Sequence, residues 1–190
     1  MTRQAQAAVP RLFLVVVAVS MAGCGGGGGG APDPFATEPP ELAGIVAAHN
    51  TVRAGVGVGP LAWDGSLAAT AAAWASTCTD TAAPLGLLDH NPNRSSGHPW
   101  YVGENIYASS GAGAASGTAA VAAGAGEAAD YDYATNSCAA GKVCGHYTQV
   151  VWSTTTRVGC ARRECPALTY QSTIVCDYGP GGNISGSRPY

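Results

Sequence analysis

Gly145-His146-Tyr147-Thr148-Gln149-Val150-Val151-Trp152 and, further along, Ile174-Val175-Cys176-Asp177-Tyr178-Gly179-Pro180-Gly181-Gly182-Asn183-Ile184 are the stretches on which the fold turns. Each joins β-branched and aromatic residues to a segment rich in turn formers, the composition of a half-buried strand leaving a sheet. Residues 148–152, 157–162 and 172–178 are therefore predicted strands of the C-terminal third. The Gly-Pro-Gly-Gly run after Tyr178 ends the last of them.

Toward the amino terminus the periodicity changes. Leu42, Ile45, Val46, His49 and Val52 fall on one helical stripe, which predicts a helix over 41–53. A second helix is predicted over 65–77, capped by Asp64, with Leu67, Ala71, Trp74 and Ala75 on one face. A third, alanine-rich helix spans 116–129 despite Gly124 and Gly126. The polar stretch 89–99 reads as loop. Helices first and strands later predict an α+β domain, with helices packed on an antiparallel sheet.

The chain has 190 residues, a net charge of −3 and seven cysteines. An acidic balance offers no electrostatic footprint for a polyanion, so no nucleic-acid partner is expected. The odd cysteine count asks for two fates. Arg3 and Arg11, the apolar run 12–19 and the small residues before Cys24 make 1–23 a signal peptide. Ala22-Gly23-Cys24 resembles a bacterial lipobox, with Met21 where leucine is usual, and so predicts lipidation of Cys24 and a membrane-surface anchor. Residues 24–40, glycine- then proline-rich, read as a tether, and 41–190 as the folded domain. Loss of Arg3 and Arg11 with the leader takes the charge from −3 to −5. The six remaining cysteines lack the paired close spacing of a zinc site, so three disulfides in an extracytoplasmic protein are expected, their connectivity open.

The two stretches quoted above resemble the paired signatures of the CAP superfamily, whose SCP domain occurs in cysteine-rich secretory proteins, venom antigen 5 and plant pathogenesis-related proteins of the first class. Three further stretches match in the family's order: His49-Asn50-x-x-Arg53, Gly103-Glu104-Asn105-Ile106, and Tyr131-Asp132-Tyr133 running on to Cys138 and Cys144. The ending Gly186-Ser187-Arg188-Pro189-Tyr190 resembles the plant members. Two departures stand out: Asp177 sits where Asn is common, and the stretch between Cys78 and Gly103 is longer than in the plant proteins.

The resemblance implies a three-layer α-β-α sandwich with a central antiparallel sheet and the pairings Cys78–Cys165, Cys138–Cys144 and Cys160–Cys176. It also implies a cleft lined by His90, Glu104, Glu127 and His146, with His98 the alternative to His90. Two imidazoles and two carboxylates are a donor set for Zn²⁺ or another divalent metal, although no cofactor is required. His49, with Arg53 at i+4, is read as a hydrogen-bonded structural histidine, and Tyr147, Gln149 and Trp152 as packing. No GxSxG, HExxH or Cys beside His marks a nucleophile. The function implied is binding, of a sterol, a fatty acid or a protein partner, by an exported and surface-anchored protein. The alternative is a metal-assisted hydrolase or protease working through the His/Glu cleft.

Overall fold

A computed structural model describes residues 33–83 and 85–190. The expected leader, the expected lipidation site Cys24 and most of the tether lie outside the described residues.

Helix α1 (Ile45–Gly55) is shorter than its hydrophobic stripe, because Gly44 turns into the left-handed region at φ 85° and leaves Leu42 in a separate 3-10 turn. The Glu38 carboxylate accepts from the N–H of Gly44 and of Val46, both at 2.8 Å, and so caps the helix from outside it. Phe35 packs beside α2, and its carbonyl accepts from Trp63 Nε1 at 2.9 Å. Residues 33–40, read from composition as the end of the tether, thus lie on the domain: Phe35 and Glu38 supply contacts that a glycine-proline composition does not reveal.

After the short strand β1 (Ala62–Trp63), helix α2 (Gly65–Ala75) begins at the Asp64 cap, which accepts from the N–H of Ser66 and Leu67. Its buried face is mostly alanine (Ala68, Ala71, Ala72, Ala75), and small side chains let the helix lie close to the sheet. Gly159 completes that approach, since a Cβ there would fall on the Asp64 carbonyl and the Ala68 N–H. Strand β2 (Gly103–Ser109), helix α3 (Gly117–Gly126), the small hairpin β3 (Tyr131–Asp132) and β4 (Ser137–Cys138), helix α4 (Gly145–Val150), β5 (Arg157–Glu164) and β6 (Ser172–Gly179) follow.

The main sheet has the order β1-β5-β6-β2, antiparallel except for the two-residue β1, which pairs with β5 in parallel. Every residue of β6 is buried. Ile174, Cys176 and Tyr178 pack with Leu42, Ile45 and Val121 on the side of α1 and α3, while Val175 packs with the alanines of α2 on the other. This is the α-β-α sandwich.

The expected strand over 148–152 is instead helix α4 and the turn after it. Tyr147, Val150 and Val151 stand at i, i+3 and i+4 and pack against Val52, Val56 and Tyr131, so burial of one helical face outweighs the β propensity of the valines. Arg53, 1% exposed, reaches from α1 to the carbonyls of Gly59, Val150, Trp152 and Thr155 at 2.7–2.9 Å, and holds the end of α4 in place. Three disulfides close the domain: Cys78–Cys165 between the segment after α2 and the end of β5, Cys138–Cys144 between the hairpin and α4, and Cys160–Cys176 between register partners of β5 and β6. Among the described residues, no helix is long and apolar enough to cross a membrane.

Candidate functional site

The four residues of the implied cleft come together two by two. Glu104, on edge strand β2, has a fully buried side chain whose Oε1 accepts from His90 Nδ1 at 2.6 Å and from the Asn91 N–H at 2.9 Å. Glu127 opens the 3-10 turn that follows α3. Its Oε1 accepts from His146 Nδ1 at 2.6 Å, and its Oε2 from the N–H of His146 and of Tyr147, so it also caps α4. An ionised carboxylate can only accept, so each Nδ1 carries the hydrogen and each Nε2 is left for another partner. His90 is the exposed member of its pair, at 59%, and His146 is 36% exposed. His98 goes elsewhere: its Nε2 lies 3.0 Å from Thr70 Oγ1, and its ring stacks on Trp100.

As four ligands of one ion these residues do not fit. Both oxygens of Glu127 already hold N–H groups, and Glu104 is sealed from solvent. Among the described residues, no group of three or more His, Cys, Asp or Glu is arranged to hold a metal ion. The carboxylates orient the imidazoles instead.

Behind Glu104 stands Asp177, its register partner on β6 and 0% exposed. Burial, reinforced by the neighbouring Glu104 charge, pushes the Asp177 carboxyl up to about 8 against the pull of Arg94. In the sequence Asp177 stands out only as a departure from the motif. Its partnership with Glu104 depends on strand register, which no local pattern displays.

On the opposite face of the sheet lies a cavity of about 270 Å³. Its walls are α3 (Ala120, Val121, Ala123), β2 and β6 (Ile174), and Glu127 with His146 stand at one side. Asn105 Nδ2 donates to the His146 carbonyl at 3.1 Å and to Tyr178 Oη at 3.3 Å. His49 completes the polar floor, with Nδ1 donating to the Ile45 carbonyl and Nε2 accepting from the Tyr178 hydroxyl, both at 2.8 Å. Burial lowers His49 to about 4, so the ring is neutral at physiological pH. No lysine or arginine lines the cavity among the described residues. The composition of α3, in which no side chain exceeds valine in size, was the sequence signal for this space; only the sheet opposite turns that composition into a void.

The packing residues fall as follows. Gln149 is buried, donating to Thr155 Oγ1 and accepting from the Gly182 N–H, Trp152 is 5% exposed, and the Tyr147 and Tyr190 hydroxyls lie 3.1 Å apart.

Residues 46–178 match the family model for the cysteine-rich secretory protein family, CAP. The pathogenesis-related leaf protein 4 of Solanum lycopersicum is 43% identical over 145 residues, which cover 76% of this chain and 80% of that protein. A PR-1 type pathogenesis-related protein of Sambucus nigra is 45% identical over 145 residues, covering 76% and 79%. Among solved structures, the venom allergen-like protein 4 of Schistosoma mansoni superposes with a TM-score of 0.63 at 26% identity, covering 80% of this chain and 95% of that one. The crystal structure of NaASP2 with Zn²⁺ gives 0.62 at 26%, covering 85% and 90%.

Proposed function

Because the chain belongs to the cysteine-rich secretory protein (CAP) family, we propose that it is an exported binding protein, held at a membrane surface through a lipid on Cys24, that takes a small apolar ligand into the space between α3 and the sheet. The observation that carries this reading is the cavity of about 270 Å³, with apolar walls and a polar floor and rim. Ligand sites are concave, mostly apolar and furnished with a few convergent polar groups, and run from ~300 Å³ upward. At about 270 Å³ this one falls just below that range. Three disulfides among the described residues suit an oxidising, extracytoplasmic location.

The test is uptake. The full chain, produced in a host that processes lipoproteins and delipidated, is incubated with a total lipid extract, and retained molecules are identified by mass spectrometry. Saturable retention of an apolar species is the expected result; no retention overturns the reading. The intact mass of the same preparation reports the anchor, as a diacylglyceryl adduct on Cys24 with no free thiol.

A divalent metal is the second reading. It is supported by the carboxylate clamp on each Nδ1, the arrangement that in zinc proteins orients a histidine to ligate through its other nitrogen. On this reading His90 and His146 would each ligate through Nε2, with Glu104 and Glu127 positioning them. Calorimetric titration with Zn²⁺ is expected to show binding that His146→Ala abolishes and Glu127→Gln weakens ~10–100-fold; titration that is unchanged in both variants removes the metal.

A further inference from the structure

We propose a second binding site, for one neutral sugar ring, in the cavity enclosed by the β3–β4 hairpin, helix α4 and the C-terminal segment from Asn183 to Pro189. This cavity measures about 270 Å³ and shares no lining residue with the space between α3 and the sheet. At the ~30 Å³ that each water takes in the liquid, it offers room for about ten heavy atoms, which is the size of a monosaccharide. Its walls are held from both sides. Cys138–Cys144 ties the hairpin to α4. Arg188 donates through Nε and Nη2 to the carbonyls of Tyr133 and Ala134 at 3.0 and 2.8 Å, and the Ser153 N–H donates to the Pro189 carbonyl at 2.6 Å.

The class of ligand follows from the floor and the rim. The floor is apolar, with Trp152 and Pro189 buried and Tyr131 partly so. The rim is polar but neutral: among the described residues no Lys, Arg, His, Asp or Glu lines the cavity. Two carboxamides on it are locked by half of their bonding capacity. Asn183 Nδ2 donates to the Gly145 carbonyl at 2.9 Å, and its Oδ1 accepts from Thr148 Oγ1 at 2.6 Å. Asn136 Nδ2 donates to the Ser187 carbonyl at 3.1 Å, and its Oδ1 accepts from Tyr131 Oη at 2.6 Å. A carboxamide has two N–H donors and two acceptor lone pairs, so each asparagine keeps one of each in a fixed orientation. Neighbouring hydroxyls of a sugar ring present the matching acceptor and donor, while the C–H face of the ring suits an apolar floor. A phosphate or carboxylate would lose its hydration here without a counter-charge. A wholly apolar ligand would strip water from both carboxamides and put nothing in its place.

The experiment titrates the delipidated full chain with methyl α-D-glucopyranoside, methyl α-D-mannopyranoside and N-acetylglucosamine, read by saturation-transfer NMR on the sugar and by amide chemical shifts on the protein. Cyclohexanol, a ring without neighbouring hydroxyls, and the phosphate ester of the best sugar are the controls. At least one sugar is expected to bind saturably, to shift the amides of Gly145, Asn183 and Ser187, and to bind at least about tenfold tighter than either control. Two variants locate the site. Ser187→Phe fills the mouth while leaving the backbone bonds of residue 187 in place, and Asn183→Gly removes one carboxamide at a position whose φ of 57° glycine adopts freely. Each is expected to lose at least about tenfold in sugar affinity, with the melting temperature reporting that it folds. Absence of saturable binding by all three sugars overturns the site, as does unchanged affinity in either folded variant. Equal affinity for cyclohexanol or for the phosphate ester overturns the ligand class.

Discussion

Glu104 on β2 and Asp177 on β6 face each other across the sheet, and three of their four carboxyl oxygens are buried without a hydrogen-bond partner. The fourth, Glu104 Oε1, carries His90 and Asn91. A proton kept on Asp177 and donated to Glu104 Oε2 removes the repulsion between two buried carboxylates and gives two of those three oxygens a partner. Asparagine at this position would donate the same bond without a titrating group. The pair holds the loop carrying His90 against the edge of the sheet.

The first prediction follows from the sign of that shift. Asp177 titrates at about 8 when folded and near 3.8 when unfolded, so the folded chain holds the proton more tightly. Its contribution to stability is complete below about pH 4 and is lost progressively up to about pH 8, each tenfold in proton affinity being worth ~1.4 kcal/mol. Asp177→Asn is expected to be the more stable protein at pH 8 by a few kcal/mol. Melting temperatures of both proteins at pH 5 and pH 8 check this, and an identical pH dependence in the variant would refute it.

His49 acts in the opposite direction. The folded ring titrates at about 4 and the unfolded one near 6.5, so its contribution is present above about pH 6.5 and is lost as pH falls toward 4. Read in the Asp177→Asn background, where the opposing group is absent, urea-denaturation free energies should decline over that window. His49→Gln should flatten the decline at a cost of ~1–3 kcal/mol at neutral pH, because the bonds to the Ile45 carbonyl and the Tyr178 hydroxyl are disturbed.

Arg53 predicts a large effect from a conservative change. Its guanidinium serves four backbone carbonyls, three of them 97–102 residues away in sequence. A lysine ammonium has neither the reach nor the fork geometry to hold them all. Arg53→Lys should lower stability by ~3–5 kcal/mol, comparable to breaking a buried ionic network, and hydrogen exchange should rise first in α4. Wild-type protection of α4 in the variant would show that the guanidinium is dispensable there.

The disulfides should rank by the loops they close. Cys78–Cys165 spans 87 residues and Cys138–Cys144 only 6. On the chain-entropy model, removing the first by Cys78→Ser with Cys165→Ser should cost ~4–5 kcal/mol, and removing the second distinctly less. Denaturation of the two double variants gives the order, and an inverted order would mean that the Cys138–Cys144 link holds α4 by enthalpy.

By itself the sequence determined much of the frame. The apolar period of 45–53, the Asp64 cap, the even set of six domain cysteines and the ordered motifs around His49, Glu104 and His146 were all readable, because each depends on residues close together in the chain. What tertiary structure decided was everything that depends on distant partners. The valines of 148–152 carry β propensity, yet they became helix because α1 presents Val52 and Val56 to one helical face. The four cleft residues were legible as residue types, but not as two separate His–carboxylate pairs, since the loop after α2 brings His90 to Glu104, whose register partner is Asp177, while the turn after α3 carries Glu127 to His146. The cavity is the clearest case. Glycines and alanines in α3 record only an absence of side chains, and that absence becomes a cavity because a rigid sheet, fixed by its own hydrogen bonds and by Cys160–Cys176, cannot collapse onto the helix to fill it.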